Sequence, residues 1–271
     1  MKREITANQE TEIKSPPYQK AQEREFARMA ERMIDIISER FKNQAIKALN
    51  ASTVDKFADA QVGNYAKVFL ALAKRVSRKM VKQFDDDRIE QATKTMLNKV
   101  NKANRESLYG MVEKRIGISS TELFQTEGLR TTVNALDLET AQWMKRLRDD
   151  TLEFYTANTL RVMANGGSIA DVLAELSNVE GKRKDHAKFT ARNQIASYNS
   201  LMTKARAQNL GITQAKWVTA GDERVRPCHN VRNGKEFELS EGLYSSCDKK
   251  TLLPGIDYQC RCTYDLIIPE D

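Results

Sequence analysis

Residues 54–84 contain the longest regular pattern in the sequence and read VDKFADAQVGNYAKVFLALAKRVSRKMVKQF. Apolar side chains recur in this stretch every three or four residues, as they do along one face of an α-helix. They are Val54, Ala58, Val62, Tyr65, Phe69, Leu72, Val76, Met80 and Phe84. A long helix with one apolar face needs other helices to cover that face. The stretch therefore predicts a scaffold of packed helices.

Comparable helical patterns lie on both sides of this stretch. The other predicted helices cover residues 26–49, a stretch that starts at Asp85–Asp87 and fades by Gly117, 119–163 with a restart near Asp137, 168–176 and 185–209. Ser52 is a predicted N-cap, and Asn165-Gly166-Gly167 is a predicted helix stop. Short links between these helices favour antiparallel neighbours, in a bundle or in elongated hairpins.

The pattern changes after Gly211, where alternating apolar and polar residues predict short strands. Asn233-Gly234 is a two-residue turn signal, and residues 264–268 predict a final strand. We therefore predict an α+β fold, in which long, mostly antiparallel helices precede a small β-rich, Cys-containing C-terminal module. The predicted parts are a flexible polar arm (1–17), a helical region (18–184) and a module (185–271), which combines a helix (185–209) with a β module (212–271).

Composition limits the classes of protein that the chain can represent. It has 271 residues, 44 Lys or Arg, 37 Asp or Glu, and a formal net charge of +7. No window approaches the roughly 18 apolar residues of a membrane-spanning helix, so no membrane partner is expected. The first residues lack the apolar stretch of a secretory signal, which predicts a protein that stays in the cytosol. Cysteines in that compartment are expected to be reduced thiols or metal ligands rather than disulfides.

Positive charge is concentrated between Lys182 and Lys235, where twelve Lys or Arg accompany three Asp or Glu. Such a segment is either a solvated surface or a patch that faces nucleic acid or an acidic protein. The candidate contact residues are Lys182, Arg183, Lys184, Arg192, Arg206, Arg224 and Arg226.

All four cysteines, and one of the two histidines, lie after residue 227. They are Cys228, His229, Cys247, Cys260 and Cys262, and they form a candidate structural zinc site. A small β module with little aliphatic mass often needs such a staple. The spacing C-x18-C-x12-C-x-C is not that of paired CxxC motifs, so inert buried thiols beside a hydrogen-bonded His are the alternative. Adjacent Cys228 and His229 would point in different directions on a strand, so only one of the two is expected to be a ligand.

A series of short motifs in the last third of the chain is similar to a known family. In order they are Ala191-Arg192-Asn193-Gln194, Trp217-Val218-Thr219, Asp222-Glu223-Arg224-Val225-Arg226 with His229, Asn233-Gly234, Pro254 and Cys260-Arg261-Cys262. This order resembles the phage Mu F-like head morphogenesis family, the minor head proteins of tailed bacteriophages. The resemblance covers about residues 185–268.

The resemblance implies a structural virion component rather than an enzyme. Such a protein would be made in the host cytoplasm, would enter the phage head, and would act in head assembly or DNA delivery. Its implied partners are the portal protein, capsid or scaffold proteins, and phage double-stranded DNA. One departure concerns the cysteine cluster. Asp257 stands where the family often has a His, and Cys247 could replace that His as a ligand.

Other functions stay open from the residues alone. The cysteine cluster faintly resembles that of zinc-stapled HNH nucleases, but a metal-dependent nuclease needs a general-base His and further metal ligands, whereas the module has one His. A transferase-like site from Arg192, Glu223 and Glu236, or a zinc-stapled DNA-binding protein, are further alternatives. Three residues are expected to have structural roles: Trp217 in the core, Asp222 closing a turn, and Arg261 binding a carboxylate or a helix end.

Overall fold

The computed structural model describes residues 12–50 and 59–268. Seven helices and six short strands occur in these ranges, and the predicted α+β class is confirmed. The helices are α1 (Lys20–Asn50), α2 (Asp59–Gln83), α3 (Asp86–Ile116), α4 (Ser120–Thr126), α5 (Arg130–Ala164), α6 (Ile169–Asn209) and α7 (Pro227–Asn230). The strands are β1 (Glu12–Ile13), β2 (Gln214–Val218), β3 (Glu236–Glu238), β4 (Leu243–Ser245), β5 (Lys250–Leu252) and β6 (Thr263–Ile267). No helix in the described ranges combines the length and the apolarity needed to cross a bilayer.

Helix α6 corrects the predicted break between two separate helices at 168–176 and 185–209. It runs for 41 residues without interruption. A single glycine, Gly181, lies at the predicted break, and glycine costs a helix only about 1 kcal/mol relative to alanine. Lys184 Nζ lies 2.8 Å from Glu180 Oε1 one turn earlier, and this pair supports the helix across the break.

One further helix limit differs from the prediction, and one predicted helix limit lies outside the described residues. Helix α5 begins at Arg130, seven residues before the predicted restart at Asp137. The predicted N-cap Ser52 lies outside the described residues. The predicted stop after α5 is confirmed, because Gly166 takes a left-handed φ of 69° there.

Four strands form an antiparallel sheet in the order β1-β6-β2-β3. The register places Trp217 opposite Tyr264 and Ala215 opposite both Leu266 and Phe237. Strands β4 and β5 form a separate hairpin. The turn signal before β3 is confirmed, since Gly234 adopts a φ of 76° and donates its N–H to the Trp217 carbonyl at 2.8 Å.

The N-terminal arm is part of the sheet, which corrects the prediction of a flexible arm for its described residues, 12–17. Glu12 pairs with Ile267 and Ile13 with Leu266, while Ser15 Oγ donates to the Tyr264 carbonyl. Without β1, strand β6 would present an unpaired edge, and such edges are usually covered. The first eleven residues of the predicted arm lie outside the described residues.

The chain divides into two compact units whose limits differ from the predicted domains. The sheet unit comprises Met1–Gln22, Leu97–Leu136 and Arg192–Asp271. The helical unit comprises Glu23–Met96 and Asp137–Ala191. The predicted boundary between residues 184 and 185 therefore falls inside the helical unit, seven residues before its end at Ala191.

The sheet unit has an aromatic core. Trp217, Phe237 and Tyr264 are buried together, and the Phe237 and Tyr264 rings meet edge to face at 6.0 Å. Leu108 and Tyr109 of α3 belong to the same buried cluster. Edge-to-face contacts of this kind add to the gain from burial. The predicted core position of Trp217 is confirmed, because its side chain is 1% exposed.

The helical unit combines an apolar core with paired charges. The Phe41 and Tyr155 rings stack at 5.2 Å, and both side chains are fully buried. Glu180 accepts hydrogen bonds from Ser38 Oγ at 2.5 Å, Lys42 Nζ at 2.7 Å and Lys184 Nζ at 2.8 Å. These charge-assisted bonds tie α1 to α6.

Candidate metal centre and cationic cleft

His229 is the centre of a buried polar cluster in the sheet unit. It lies in the short helix α7, which begins at Pro227, a residue suited to a first helical turn. Its side chain is 2% exposed, and the Trp217 ring meets it edge-on at 5.8 Å. The imidazole is therefore enclosed and has a fixed orientation.

Two cysteine sulfurs face one nitrogen of this imidazole. Nδ1 of His229 lies 3.4 Å from Cys260 Sγ and 3.6 Å from Cys262 Sγ. The ligand atoms of all three residues lie within 4.8 Å of one another, and all three side chains are buried. A thiolate pair with one imidazole is a donor set that suits zinc.

A carboxylate faces the other nitrogen of the same ring. Nε2 of His229 lies 3.4 Å from Oδ2 of Asp257, and this oxygen forms an ion pair with Arg226 Nη2, 2.5 Å away. Asp248 also lies near His229, in a second group of possible ligands with Asp257. From the sequence motifs alone, Asp257 is only a departure from the family pattern. In the structure it is the neighbour of His229.

The two thiols interact directly with each other. A hydrogen bond from Cys262 lowers the pKa of Cys260 to about 4. Burial raises this pKa, whereas His229 and the Gly255 N–H also lower it. The same contact, together with burial, raises the pKa of Cys262. The Gly255 N–H points at Cys260 Sγ over 3.4 Å. The two residues therefore favour a state in which Cys260 is a thiolate and accepts a hydrogen bond from the Cys262 thiol.

Arg232 is a charged neighbour of this cluster that sequence reasoning missed. Its guanidinium lies 4.8 Å from the centre of the Trp217 ring, and the side chain is only 3% exposed. Burial lowers the pKa of Arg232, while Asp248, Cys262, Cys260 and Asp257 act in the opposite direction. Neither Nη1 nor Nη2 has a hydrogen-bond partner among the described residues. A lone Arg after a Val in a turn carries no sequence signal for this role.

The other two cysteines form a disulfide with each other. Cys228 and Cys247 are bonded, and their Cα atoms are 6.1 Å apart, within the usual range. This corrects two predictions. The cysteines are not all thiols or metal ligands, and Cys247 does not replace the missing His as a ligand. Their nineteen-residue separation in sequence gave no means of choosing this pairing.

A small cleft, open to solvent, lies beside the buried cluster. His229, Cys260 and Cys262 form part of its wall, and Arg224, Arg226, Gln259 and Arg261 complete much of the rest. Arg261 binds Asp222 through both terminal nitrogens, and Arg224 lies 3.7 Å from the same carboxylate. The cleft thus combines soft metal donors with three guanidinium groups.

The structure places Asp222 and Arg261 in the structural roles expected of them. Asp222 Oδ1 accepts the Arg224 N–H at 3.1 Å, and its carbonyl accepts the Val225 N–H at 3.1 Å, which closes the turn. Its bond to Arg261 lowers the pKa of Asp222 to about 2, more than burial raises it. The partner carboxylate expected for Arg261 is therefore Asp222 itself.

The predicted basic contact surface does not form as one patch. Arg183 and Arg206 are buried, at 7% and 0% exposure, so the prediction that they contact DNA or a partner is wrong for this structure. Arg183 Nε donates to Thr151 Oγ1, and Arg206 Nε donates to Glu127 Oε1 at 2.8 Å. Amphipathic helices bury the arginines that their inward faces carry, and charge counting does not detect this.

The remaining predicted contact residues are distributed over both units. Lys182 is exposed, whereas Lys184 is paired with Asp35 and Glu180 in the helical unit. Arg192 is half-buried in the sheet unit. Arg224, with 72% of its side chain exposed, and Arg226, which is half-buried and paired with Asp257, lie beside the cleft.

Residues 155–265 match the family model of Phage Mu protein F like protein. The resemblance inferred from the sequence motifs is thereby confirmed, and it extends about thirty residues further upstream, into α5. The matched segment comprises 111 of the 271 residues, so the comparison shows what this part of the chain is similar to.

One relative among the curated proteins is an uncharacterized protein of Haemophilus influenzae. It is 28% identical over 202 residues, which are 73% of this chain and 44% of the relative. The chain therefore spans less than half the length of that relative. No solved structure matches the chain.

Proposed function

We propose that this protein is a minor head component that docks on the portal or the inner capsid of a tailed phage through the cleft surface of its sheet unit. The docking surface consists of Arg224, Arg226 and Tyr258. The observation that carries the proposal is the arginine-lined cleft within the segment that matches the phage family model. The role is structural, in head assembly or DNA delivery.

The composition of this surface favours a protein partner. Tyr258 is 70% exposed, and its backbone carbonyl accepts a hydrogen bond from Arg226 Nη2 at 2.9 Å, so the Arg226 side chain contacts the Tyr258 backbone. Tyrosine and arginine are enriched in interface cores, because each combines a large contact area with directed hydrogen bonds. Guanidinium groups also bind carboxylates through two parallel bonds. An acidic partner surface is therefore the expected complement.

The test is co-migration of the purified full chain with the cognate portal protein on a sizing column at moderate salt. We expect a complex with the unaltered chain and a loss of at least tenfold in affinity for Arg224→Glu. Lys235→Glu is the matched control, since this lysine is also exposed in the sheet unit but does not line the cleft. Equal affinity of both variants for the portal would show that the cleft is not part of the interface. Absence of any complex with portal or capsid protein would refute the docking proposal.

DNA contact is a second candidate function, and helix α2 favours it. Six Lys or Arg and no Asp or Glu lie between Asp59 and Asp85. All six side chains are exposed, while Phe69, Val76 and Met80 are buried on the other face. A helix face of this kind binds phosphates without sequence preference and with strong salt dependence. Retention on double-stranded DNA in the absence of portal binding would place this function first.

A further inference from the structure

We propose that His229, Cys260 and Cys262 bind one Zn²⁺ ion, through Nδ1 and the two sulfurs, with the fourth coordination position open to the cleft. This site differs from the sequence-based candidate because the disulfide removes Cys228 and Cys247 from the ligand set. It is independent of the docking proposal, since a head protein can bind portal with or without a metal.

The separations between the three ligand atoms match those around a zinc ion. With Zn–S near 2.3 Å, Zn–N near 2.05 Å and tetrahedral angles, sulfur and nitrogen ligands lie about 3.6 Å apart. The observed separations from His229 Nδ1 are 3.4 Å to Cys260 and 3.6 Å to Cys262. Both sulfurs are therefore at the spacing that a shared metal would impose.

Hydrogen bonding alone accounts poorly for this arrangement. An imidazole nitrogen has either one hydrogen or one lone pair, so it can serve one of the two thiols at a time. Here Cys260 and Cys262 approach the same nitrogen of His229. A metal ion satisfies all three groups at once and neutralises two thiolates with its own double charge.

The groups around the three ligands also suit a zinc site. Histidine ligands commonly direct their second nitrogen at a carboxylate, which fixes the ring and the tautomer. Asp257 has this position, 3.4 Å from His229 Nε2, and Arg226 holds Asp257 in place. The Gly255 N–H points at the Cys260 sulfur at 3.4 Å. Thiolate ligands are typically supported by such N–H groups.

Zinc with three protein ligands keeps a fourth position for water or an incoming donor. His229, Cys260 and Cys262 all line the cleft, so this position is reached from its opening. The three arginines around the cleft would favour an anionic group there. An ordinary structural zinc site has four protein ligands, whereas this site leaves one coordination position for solvent or for a group of a partner.

The experiment measures metal by elemental mass spectrometry in the full-length chain with the Cys228–Cys247 disulfide intact and with Cys260 and Cys262 as free thiols. We expect about one zinc per chain, and cobalt added to the metal-free protein should produce the intense near-ultraviolet absorption of thiolate-to-cobalt charge transfer. Cys260→Ser and Cys262→Ser should lose both signals. Cys228→Ser and Cys247→Ser are the matched controls and should keep them, because these residues lie outside the ligand set.

Two measurements keep the test decisive if a ligand variant does not fold. X-ray absorption at the zinc edge of the unaltered protein should show two sulfur and two lighter ligands. Asp257→Asn, which leaves all three ligands in place, should weaken zinc binding by about 10- to 100-fold in chelator competition. The proposal is overturned if the unaltered chain, with its disulfide intact, binds neither zinc nor cobalt, or if metal is lost in the Cys228 or Cys247 variants instead of the Cys260 and Cys262 variants.

Discussion

Replacing Arg206 with alanine is expected to destabilise the sheet unit by about 4 kcal/mol and to leave partner binding by the folded protein unchanged. The side chain is fully buried in α6. Its Nε donates to Glu127 Oε1 at 2.8 Å, its Nη1 to Asn104 Oδ1, and its Nη2 to Asn101 Oδ1 at 2.5 Å. One guanidinium thus joins α6 to α3 and to the segment after α4.

The magnitude follows from what the substitution leaves behind. The Glu127 side chain is 8% exposed, and its other cation, Arg105, is 3.7 Å away. Removal of one partner from a buried ion pair costs about 3–5 kcal/mol, because the remaining charge stays buried. Asn104 keeps its bonds to Asn199 and Thr203, so it adds less to the loss. About 4 kcal/mol is therefore a central value for Arg206→Ala.

The same reasoning predicts a rescue. Arg206→Met fills much of the same volume but also leaves Glu127 with only the more distant Arg105, so it should be nearly as costly. Adding Glu127→Gln removes the buried charge, and the double variant should recover about 1–3 kcal/mol relative to the sum of the single variants.

The assay uses the division of the two tryptophans between the units. Trp143 belongs to the helical unit and Trp217 to the sheet unit. In a Trp143→Phe background, fluorescence during urea unfolding reports the sheet unit alone. Arg224→Ala is the control, because this exposed side chain should change stability by less than about 0.5 kcal/mol.

Two results would refute the reasoning about Arg206. One is a change in unfolding free energy below about 1 kcal/mol, which would be in the range of surface substitutions. The other is loss of DNA or portal binding at an unchanged urea midpoint, which would restore the contact role that the charge pattern predicted.

Two further predictions concern stability. Burial raises the pKa of Glu180, but hydrogen bonds from two lysines and a serine outweigh burial and lower it to about 2. A carboxyl with a lowered folded-state pKa stabilises the protein above its unfolded pKa near 4.5, and this contribution is lost as the pH falls toward 2. Glu180→Gln should therefore cost about 2 kcal/mol at pH 7, after allowance for solvent screening, and flatten the acid dependence between pH 4.5 and 2, as read from Trp143 fluorescence. Gly242→Ala should destabilise the sheet unit by more than about 2 kcal/mol, because Gly242 has a φ of 87° and a Cβ there would lie 2.5 Å from the Leu252 carbonyl oxygen. Gly110→Ala is the control, because a Cβ at Gly110 would have no atom within 4 Å. Equal unfolding free energies for the two variants would contradict the prediction.

Local patterns predicted the helices and strands closely, because hydrophobic periodicity is imposed by the neighbours along one element. The failures occurred where a distant contact decided the outcome. Residues 12 and 13 form a strand because β6 offers an open edge 250 residues later. Helix α6 continues through Gly181 because its pairs with the rest of the helical unit outweigh the cost of one glycine.

The candidate site shows the same division between local and distant information. Clustering of the cysteines and His229 indicated a site, and the family motifs indicated its surroundings. Which sulfur faces which atom depended on the fold. Cys228 and His229 are neighbours in sequence, yet one enters a disulfide and the other faces the Cys260-Arg261-Cys262 segment.

By itself, the sequence determined the fold class, most element limits and the resemblance to a phage family, because these depend on composition, periodicity and motif order. Only the tertiary structure decided which basic residues are buried, how the cysteines pair and that Asp257 lies beside His229. Charge and ligand identity can be read from residue types. Burial and ligand geometry depend on how separate segments pack, because the position of the backbone in the assembled unit determines where each side chain points.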